Sequence, residues 1–332
     1  MRFILNPCIF NNLSNRHELT LFLFKVCDKR NHFIKIVDID SQSYRNYMDD
    51  LKKFGEISYL TVCNKVDNDD RDFFVYPSAL YEVKDIPGKN EINLKQALSL
   101  IETPFKVFLE NGRNDKNFLL FYSLNDQIKH LQDLINTNEI IFEHGGGIGE
   151  LRVMVQDKKL NNDRCYFMFD SDALPLHEDI INKDAKFIVE KCIERGIKFT
   201  MLKRRFIESY IPNACFYNYV ESKKGTEKSK LKKLFTNFTS ISCESTKRFY
   251  NIKKGLEGDY NQFKKKMTYE QFNNKYYKNI PIGERYIYKS GFGSDVSKVY
   301  EEQIHISEEL KRRDFDAWKE VNGIVSEILR IA

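Results

Sequence analysis

The fold is decided by three stretches of the chain: FKVFLENGRNDKNFL (105–119), CYFMFDSDAL (165–174) and MLKRRFIESYIP (201–212). Each begins as an apolar, strand-like run and then reaches acidic residues. These residues are Glu110, Asp170, Asp172 and Glu208. Because open parallel sheets gather their chemistry at the carboxyl ends of the strands, we expect the four carboxylates at one sheet edge. Carboxylates crowded together need a cation, and Mg²⁺ takes carboxylate oxygens while keeping water and phosphate oxygens as its other ligands. The pattern therefore predicts a Mg²⁺ (or Mn²⁺) site.

The composition is that of a folded, reduced protein. The 332 residues are 42% hydrophobic and allow two domains. The apolar run LTLFLFKVC (19–27) is too short to cross a bilayer, and MRFILNPCIF (1–10) is a poor signal peptide. The seven cysteines are odd in number and have no zinc-like spacing. We therefore predict a cytoplasmic protein with free thiols and no membrane partner.

The positive charge is concentrated late in the chain. Residues 221–280 contain 15 Lys and Arg against 6 Asp and Glu, a net charge of +9, whereas the whole chain carries +5. A basic block next to an acidic, metal-type site favours a polyanionic partner. The alternative is an ordinary solvated surface rich in lysine.

The first hundred residues read as a small α/β domain of unknown role (1–103). Its predicted strands are HFIKIVDI (32–39), EISYLTVCNKV (56–66), DFFVYP (72–77) and ALYEVKDI (79–86), and its predicted helices are SYRNYMDDLKKF (43–54) and INLKQALSLIE (92–102). The acidic stretch DNDDRD (67–72) lacks the glycine and final glutamate of a calcium loop and is interpreted as a turn.

Strands and helices alternate in the next part of the chain (104–215), which indicates βαβ units and a mainly parallel sheet. FKVFLE (105–110), EIIFEHGGG (139–147), CYFMFD (165–170) and IKFTML (197–202) are the predicted strands, with helices at KNFLLFYSLNDQIKHL (116–131) and AKFIVEKCIERG (185–196). The remainder (216–332) is basic, aromatic and mainly helical, with pieces such as YNQFKKKMTYEQFNNKYY (260–277) and a final amphipathic segment (306–331).

The acidic series resembles the Toprim domain. Glu110 is followed by Asp115, then by a strand ending in Gly145–Gly147, then by Asp170-Ser171-Asp172. KRRFIESYIP (203–212) is similar to the Arg-x-x-Glu-Asn-Tyr-Leu-like element of OLD-type nucleases of bacterial defence systems. The likeness covers residues 104–213.

This resemblance implies a Toprim-like mainly parallel sheet flanked by helices, and a metal-dependent phosphodiesterase acting on DNA, tRNA or other RNA in anti-phage defence. The implied metal ligands are Glu110, Asp170, Asp172, Glu208 and Asp115, with Glu110 also available as a general acid or base. Relatives that resemble this core often work with a separate ATPase. Because this chain has no Walker motif, such a motor would be a partner.

Basic residues near this site are candidates for phosphate contacts. Lys203, Arg204 and Arg205 could offset charge in the transition state, and Lys264, Lys265 and Lys266 lie in the basic block. In the alternative interpretation, the two arginines pair with Glu208 on a helical turn. The tyrosines and phenylalanines of the basic region are expected to stack on unpaired bases.

Several further features have competing interpretations. Asp115 could be a helix N-cap, and Asp38 and Asp40 form a rival acidic pair after a strand. His144 and His177 are near enough in sequence to assist proton transfer. The three glycines lack the Lys-Ser/Thr of a P-loop, and no Gly-x-Ser-x-Gly elbow supports an esterase, so they predict a tight turn at the site.

Two functions remain from the sequence. The first is a metal-dependent nuclease. The second is a catalytically degenerate Toprim-fold binding or regulatory subunit, which is supported by the five-residue step from Glu110 to Asp115 where the family usually has four. A primase- or topoisomerase-like role is disfavoured, because no zinc segment or second catalytic domain with a tyrosine is identifiable.

Overall fold

The computed structural model describes residues 1–29, 32–74, 79–88, 91–177, 181–303 and 308–332. It is an α/β structure with two four-stranded sheets. The chain forms two compact units. Unit 1 comprises Met1–Phe105, Leu134–Ile140 and Ser326–Ala332, and unit 2 comprises Lys106–Asp133 and Ile141–Val325. Most of the predicted catalytic core and most of the basic region that follows it therefore belong to unit 2.

Unit 1 contains a parallel sheet. Its strands are β1 (Arg2–Leu5), β2 (Phe33–Ile36), β3 (Leu80–Val83) and β4 (Glu91–Ile92), in the order β2-β1-β3-β4. Its helices are α1 (Cys8–Asn11), α2 (Arg16–Asp28), α3 (Gln42–Phe54), α4 (Glu56–Asp72) and α5 (Leu94–Glu102). The core packs apolar residues of β1 and β2 against α2, α3 and α5.

The strand predicted at 56–66 and the turn predicted at 67–72 are both wrong, because these residues form the single helix α4. Tyr59, Val62, Cys63 and Val66 pack into the core at helical spacing, so the period of burial overrides their β propensity. In the predicted turn, Asp69 is buried and accepts a hydrogen bond from the backbone of β2. The strand predicted at 72–77 lies partly outside the described residues, and its first residue ends α4.

The sheet of unit 2 has the order β6-β5-β7-β8. Its strands are β5 (Phe105–Leu109), β6 (Ile140–His144), β7 (Cys165–Phe169) and β8 (Lys198–Met201). β7 runs parallel to β5 and to β8. Every residue of β7 is buried, as its unbroken apolar run predicts for the centre of a parallel sheet. All four predicted strands are confirmed; three are shortened by one or two residues, and the strand predicted at 139–147 spans only Ile140–His144 and ends before the three glycines.

Helices surround this sheet and form most of the rest of unit 2, and the helices at 125–136 and 315–331 end in residues of unit 1. They are α6 (Gly112–Tyr122), α7 (Asn125–Asn136), α8 (Ile148–Met154), α9 (Lys183–Arg195), α10 (Asn213–Ser222), α11 (Gly225–Ser240), α12 (Glu244–Phe249), α13 (Gly255–Phe263), α14 (Tyr269–Tyr276), α15 (Val299–Glu302), α16 (Glu308–Arg312) and α17 (Phe315–Ile331). The helix predicted at 116–131 is two helices, interrupted at Ser123, whose backbone is extended. Gly196 ends α9 in the left-handed conformation, as predicted.

The aromatic residues of the basic region mainly build its core. Phe238, Tyr250, Phe272, Tyr277 and Phe292 are all at most 8% exposed. The expectation that these rings stack on unpaired bases is therefore wrong for most of them, because the helices of this region bury their rings against one another. Among the described residues, no helix combines the length and apolarity that a bilayer crossing requires.

Candidate functional site

The ends of the two central strands bring Glu110 and Asp170 together. In the register of β5 and β7, Leu109 lies opposite Met168, so the residues that follow each strand emerge side by side. The backbone amide of Asp170 lies 3.5 Å from Oε2 of Glu110. The parallel sheet itself, rather than a loop, thus positions this carboxylate pair.

Asp115 joins the pair from the first turn of α6. Its side chain is buried, and Oδ2 accepts a hydrogen bond of 2.8 Å from the backbone amide of Asn111. The N-cap of α6 is Asn111, whose side chain accepts from the amide of Asn114, so the N-cap interpretation of Asp115 is wrong. Asp115 instead turns its charge toward the start of the helix, where the macrodipole favours an anion.

Glu208 approaches from the segment after β8, on a short 3-10 helix (Ile207–Tyr210). Its side chain is fully buried, and among the described residues no hydrogen bond to either carboxylate oxygen is found. Lys253 supplies the compensating charge, with its Nζ 2.8 Å from Oε1 of Glu208. A buried carboxylate with this single cationic neighbour retains unused acceptor capacity.

The raised pKa values of these carboxyl groups show that negative charge exceeds positive charge around them. Burial, together with the charges of Asp172 and Glu208, raises the pKa of Glu110 to about 7. Burial, together with Glu110 and Glu208, raises the pKa of Asp115 to about 8. The pKa of Asp170 rises well above its ordinary value through burial and through Glu110, Asp115 and Glu208.

The same carboxylates act in the opposite direction on the ammonium group of Lys253. Burial alone would lower the pKa of its ammonium group, but Glu208, Asp170 and Asp115 outweigh that effect, and the pKa is raised. Glu110, Asp115, Asp170, Glu208 and Lys253 are therefore mutually interacting, and we call them the acidic cluster. One lysine offsets only part of the charge of four carboxylates.

A cavity of about 340 Å³ opens at the acidic cluster and is lined by Glu110, Asp115, Asp170 and Lys253. Its opposite wall is the glycine turn after β6. A Cβ on Gly145 would lie 2.7 Å from the carbonyl oxygen of Leu109, so only glycine permits this approach to β5. The predicted tight turn is thus present at the site.

His144 also lines this cavity. Its Nδ1 accepts a hydrogen bond of 3.0 Å from the amide of Gly112 at the start of α6. This bond assigns the imidazole proton to Nε2, so the ring can offer a donor to a ligand in the cavity. His177 does not line the cavity, and its ring packs against Tyr276.

Asp172 stands apart from the cavity wall. It has a left-handed backbone (φ 52°), and its carboxylate accepts from the side chain of Asn182 and lies 3.6 Å from Nε of Arg205. Its charge still acts on Glu110. Among the five predicted metal ligands, the structure brings Glu110, Asp115, Asp170 and Glu208 into the acidic cluster and holds Asp172 beside it.

The predicted basic ligands lie elsewhere. Arg205 is 1% exposed and donates to both oxygens of Asp259, at 2.6 and 2.7 Å. Arg204 is buried and pairs with Asp314 at 2.7 Å. Arg205 is closed to a phosphate, and the Arg204 guanidinium is already engaged by Asp314 and by the carbonyl oxygen of Ser209. Neither pairs with Glu208, so the alternative interpretation is also wrong. Both arginines are structural because each neutralises a distant carboxylate: Arg205 pairs with Asp259 of α13, and Arg204 pairs with Asp314 in the turn between α16 and α17.

The other predicted basic residues are lysines on the surface of this unit, outside the cavity lining. Lys203 is exposed and does not line the cavity. Lys264, Lys265 and Lys266 are exposed in the turn after α13, where a polyanion can reach them.

The rival acidic pair, Asp38 and Asp40, is exposed after β2, and Asp40 pairs with Arg45.

Sequence reasoning missed Lys253, which lies in a basic stretch (NIKKG, 251–255) with nothing to distinguish it from its neighbours. Tertiary packing selects it. The amides of Phe292 and Gly293 donate to the carbonyls of Ile252 and Lys253, and a Cβ on Gly291 would lie 2.3 Å from the first of these carbonyl oxygens. Asn251 in turn donates to Asp259, the partner of Arg205. Through Asp259 and Arg205, the loop that carries Lys253 is therefore linked to the side chain of Asp172.

The donor set fits a hard divalent cation in its chemistry, because it consists of carboxylate oxygens and includes those of Glu208, for which Lys253 is the one ion-pair partner found among the described residues. Within the described parts of the chain, however, no three His, Cys, Asp or Glu side chains are arranged around one ion position. Mg²⁺ commonly uses one or two carboxylates and completes its shell with water and substrate phosphate. A site in which fewer than three carboxylates surround one ion position is therefore compatible with Mg²⁺.

No family model matches this chain, and neither the curated proteins nor the solved structures include a significant match.

Proposed function

We propose that this protein is a nuclease that hydrolyses phosphodiester bonds of DNA or RNA with Mg²⁺ or Mn²⁺. The observation that carries the proposal is the acidic cluster: four buried or half-buried carboxylates meet at the carboxyl edge of a parallel sheet, and in the described part of the chain Lys253 alone offsets them. Raised carboxylate pKa values in a cavity are typical of functional sites, since structural ion pairs would lower them instead.

In this proposal Glu110 and Asp170 would be the direct ligands, because they line the cavity from adjacent strand ends. Glu208 and Asp115 would complete or support the site, and Asp172 would orient Arg205 and its surroundings. The cation would polarise the phosphodiester and activate water. Lys253 places one fixed positive charge beside the carboxylates, and His144 offers an Nε2 proton to a leaving or bridging oxygen.

The substrate would be a polyanion that also contacts the exposed Lys264–Lys266 turn. A role as effector in anti-phage defence, with an ATPase on a separate chain, follows only from the resemblance to Toprim nucleases and remains part of this proposal.

The test is incubation of the purified protein with plasmid, single-stranded DNA and total tRNA, in Mg²⁺ or Mn²⁺, with EDTA as the metal-free control. Glu110→Gln keeps the shape of the side chain and removes its charge, and is expected to abolish cleavage. Glu190→Gln, on the exposed face of α9, is the matched control and should cleave normally. Cleavage by Glu110→Gln at the wild-type rate would rule out this site.

A second function is favoured by Lys253 itself. An ammonium group inside a carboxylate cluster can take the place of a metal ion. The protein would then be a catalytically degenerate binding subunit. That alternative predicts no thermal stabilisation by Mg²⁺ or Mn²⁺ and no cleavage of any substrate. It also predicts that nucleic-acid binding, measured by fluorescence anisotropy, is the same with and without EDTA.

A further inference from the structure

Glu208 is carried by a turn with little support of its own. The turn is the 3-10 helix Ile207–Tyr210. The amide of Ser209 donates to the carbonyl of Phe206 at 3.0 Å, and the amide of Ile211 donates to that of Glu208 at 3.2 Å. Such helices occur in short pieces because their hydrogen-bond geometry is poor. The other carboxylates of the acidic cluster repel Glu208, so its position depends on contacts from outside the turn.

Two tyrosine hydroxyls hold the two ends of this turn. Tyr300 of α15 donates to the carbonyl oxygen of Ile207, the residue before Glu208. Tyr122, the last residue of α6, donates to the carbonyl oxygen of Tyr210. Both donors are fully buried, where a backbone carbonyl needs a partner. The two hydroxyls therefore fix the backbone on either side of Glu208.

The side chain of Tyr210 ties the turn to α17. Its hydroxyl accepts a hydrogen bond of 2.9 Å from the amide of Arg204 and donates to Oε1 of Glu320 at 3.0 Å. The same oxygen of Glu320 accepts from the amide of Lys203 at 2.9 Å. Glu320 thus anchors both the turn and the chain that leads into it.

The three tyrosines pack against α6, the helix that also carries Asp115. The ring of Phe118 meets those of Tyr210 and Tyr300 edge to face, with centroids 5.3 and 5.2 Å apart. It meets the ring of Tyr122 in the same way at 5.7 Å. We call Tyr122, Tyr210 and Tyr300 the tyrosine clamp. Because the clamp packs on α6, one helix fixes the positions of two carboxylates of the acidic cluster.

The hydroxyl of Tyr300 remains a donor next to the acidic cluster. Burial, together with Tyr122 and the charge of Glu208, raises the pKa of Tyr300 well above its ordinary value. The hydroxyl therefore keeps the proton that it donates to Ile207.

We propose that the tyrosine clamp positions Glu208 in the proposed metal site, and that Tyr300 is its principal member because its acceptor directly precedes Glu208. The clamp holds the carboxylate against the repulsion of the acidic cluster and within reach of Lys253. This inference rests on the proposed function where it concerns metal binding. It deepens that function by adding a residue that acts through Glu208 and does not touch the substrate.

The first test measures the coupling energy between Glu208 and Lys253 with and without the Tyr300 hydroxyl. Urea unfolding of the parent, Glu208→Gln, Lys253→Met and the double variant gives this energy, and the set is repeated in the presence of Tyr300→Phe. We expect Tyr300→Phe to remove at least about half of the coupling energy. A role in packing alone would lower the stability of all four proteins equally and leave the coupling unchanged.

Two further variants complete this test. Ser123→Ala is the matched control, because Ser123 is also buried and donates its hydroxyl to a backbone carbonyl, that of Leu119, at 2.7 Å. It should leave the coupling unchanged. Tyr122→Phe removes the hydroxyl at the other end of the turn and should also reduce the coupling, so it decides the question if Tyr300→Phe does not fold.

The second test measures Mn²⁺ affinity from the electron paramagnetic resonance signal of the unbound ion. Residues that orient metal ligands commonly affect metal affinity strongly, so Tyr300→Phe should weaken Mn²⁺ binding about tenfold. Ser123→Ala should bind Mn²⁺ as the wild type does.

The outcomes separate the two proposals. A wild-type protein that binds no Mn²⁺ would refute the proposed function, whereas the coupling energies would still decide whether the clamp holds Glu208. A coupling that is near zero in the parent, or unchanged by Tyr300→Phe and Tyr122→Phe, would overturn the clamp even if the protein cuts nucleic acid. Unchanged Mn²⁺ affinity in Tyr300→Phe, with a wild type that binds the ion, would overturn its role at the metal site.

Discussion

The ammonium nitrogen of Lys253 lies 2.8 Å from Oε1 of Glu208, and the Glu208 side chain is fully buried while that of Lys253 is 34% exposed. This pair is the only ion pair found for Glu208 among the described residues. The carboxylate depends on the lysine because its other neighbours, Glu110, Asp115 and Asp170, are also acidic.

Removing the lysine should therefore be costly. Lys253→Met leaves Glu208 buried without a counter-charge, and we expect it to lower the free energy of unfolding by about 1–3 kcal/mol, less than for a fully buried pair because the lysine reaches solvent. Adding Glu208→Gln should recover most of that loss. Urea unfolding of the wild type, both single variants and the double variant gives the coupling energy. A coupling near zero would show that the contact carries no stability.

The pH dependence of stability follows from the raised pKa values. Glu110 and Asp115 titrate near 7 and 8 when folded but near 4 when unfolded, so the folded state holds more protons. Without divalent cation, the stability contributed by these groups is complete below about pH 4 and is lost as pH rises through 7 to 8. Thermal unfolding in EDTA from pH 5 to 9 should show this fall, by a few degrees.

The fall should be specific to the acidic cluster. Asp170→Asn removes one of the repelling charges, so it should flatten the decline and raise stability at pH 8, whereas Glu190→Gln should follow the wild type. If Mg²⁺ displaces these protons, its stabilising effect should grow over the same pH range. A wild-type curve that stays level in EDTA would mean that the carboxylates are not crowded.

Arg205 is predicted to act in stability and not in substrate binding. Its two bonds to Asp259 are fully buried, and Tyr277 and Asn251 also donate to that carboxylate. Arg205→Met should lower the free energy of unfolding by about 3–5 kcal/mol, because it leaves Asp259 charged and buried. Chemical denaturation tests this. A variant as stable as wild type with weaker nucleic-acid binding would restore the original interpretation of Arg205 as a phosphate ligand.

The exposed lysines after α13 should behave in the opposite way. Replacing Lys264, Lys265 and Lys266 by Ala should change the free energy of unfolding by no more than about 0.5 kcal/mol. It should weaken nucleic-acid binding and reduce the slope of log affinity against log salt by about 2–3. Anisotropy titrations at several salt concentrations measure both. As a matched control, Lys230→Ala removes another exposed lysine of the same unit; an equal effect there would indicate a diffuse charge effect rather than a contact at this turn.

The sequence by itself determined the sheet of unit 2 and most of the acidic cluster. Apolar runs ending in acids predicted β5 and β7, and parallel pairing necessarily places Glu110 beside Asp170. The sequence-based prediction failed at α4. Its β-branched and aromatic residues favour a strand by type, but they are buried at helical spacing.

Only the tertiary structure decided which cations serve which carboxylates. Arg204 and Arg205 precede Glu208 by a few residues, yet they pair with Asp314 and Asp259, and Glu208 is matched by Lys253 from 45 residues downstream. The physical reason is that strand ends are fixed by local pattern and backbone hydrogen bonding. The partner of a buried charge is instead fixed by whichever distant segment packs over it, and the burial that makes this pairing necessary exists only once the chain has folded.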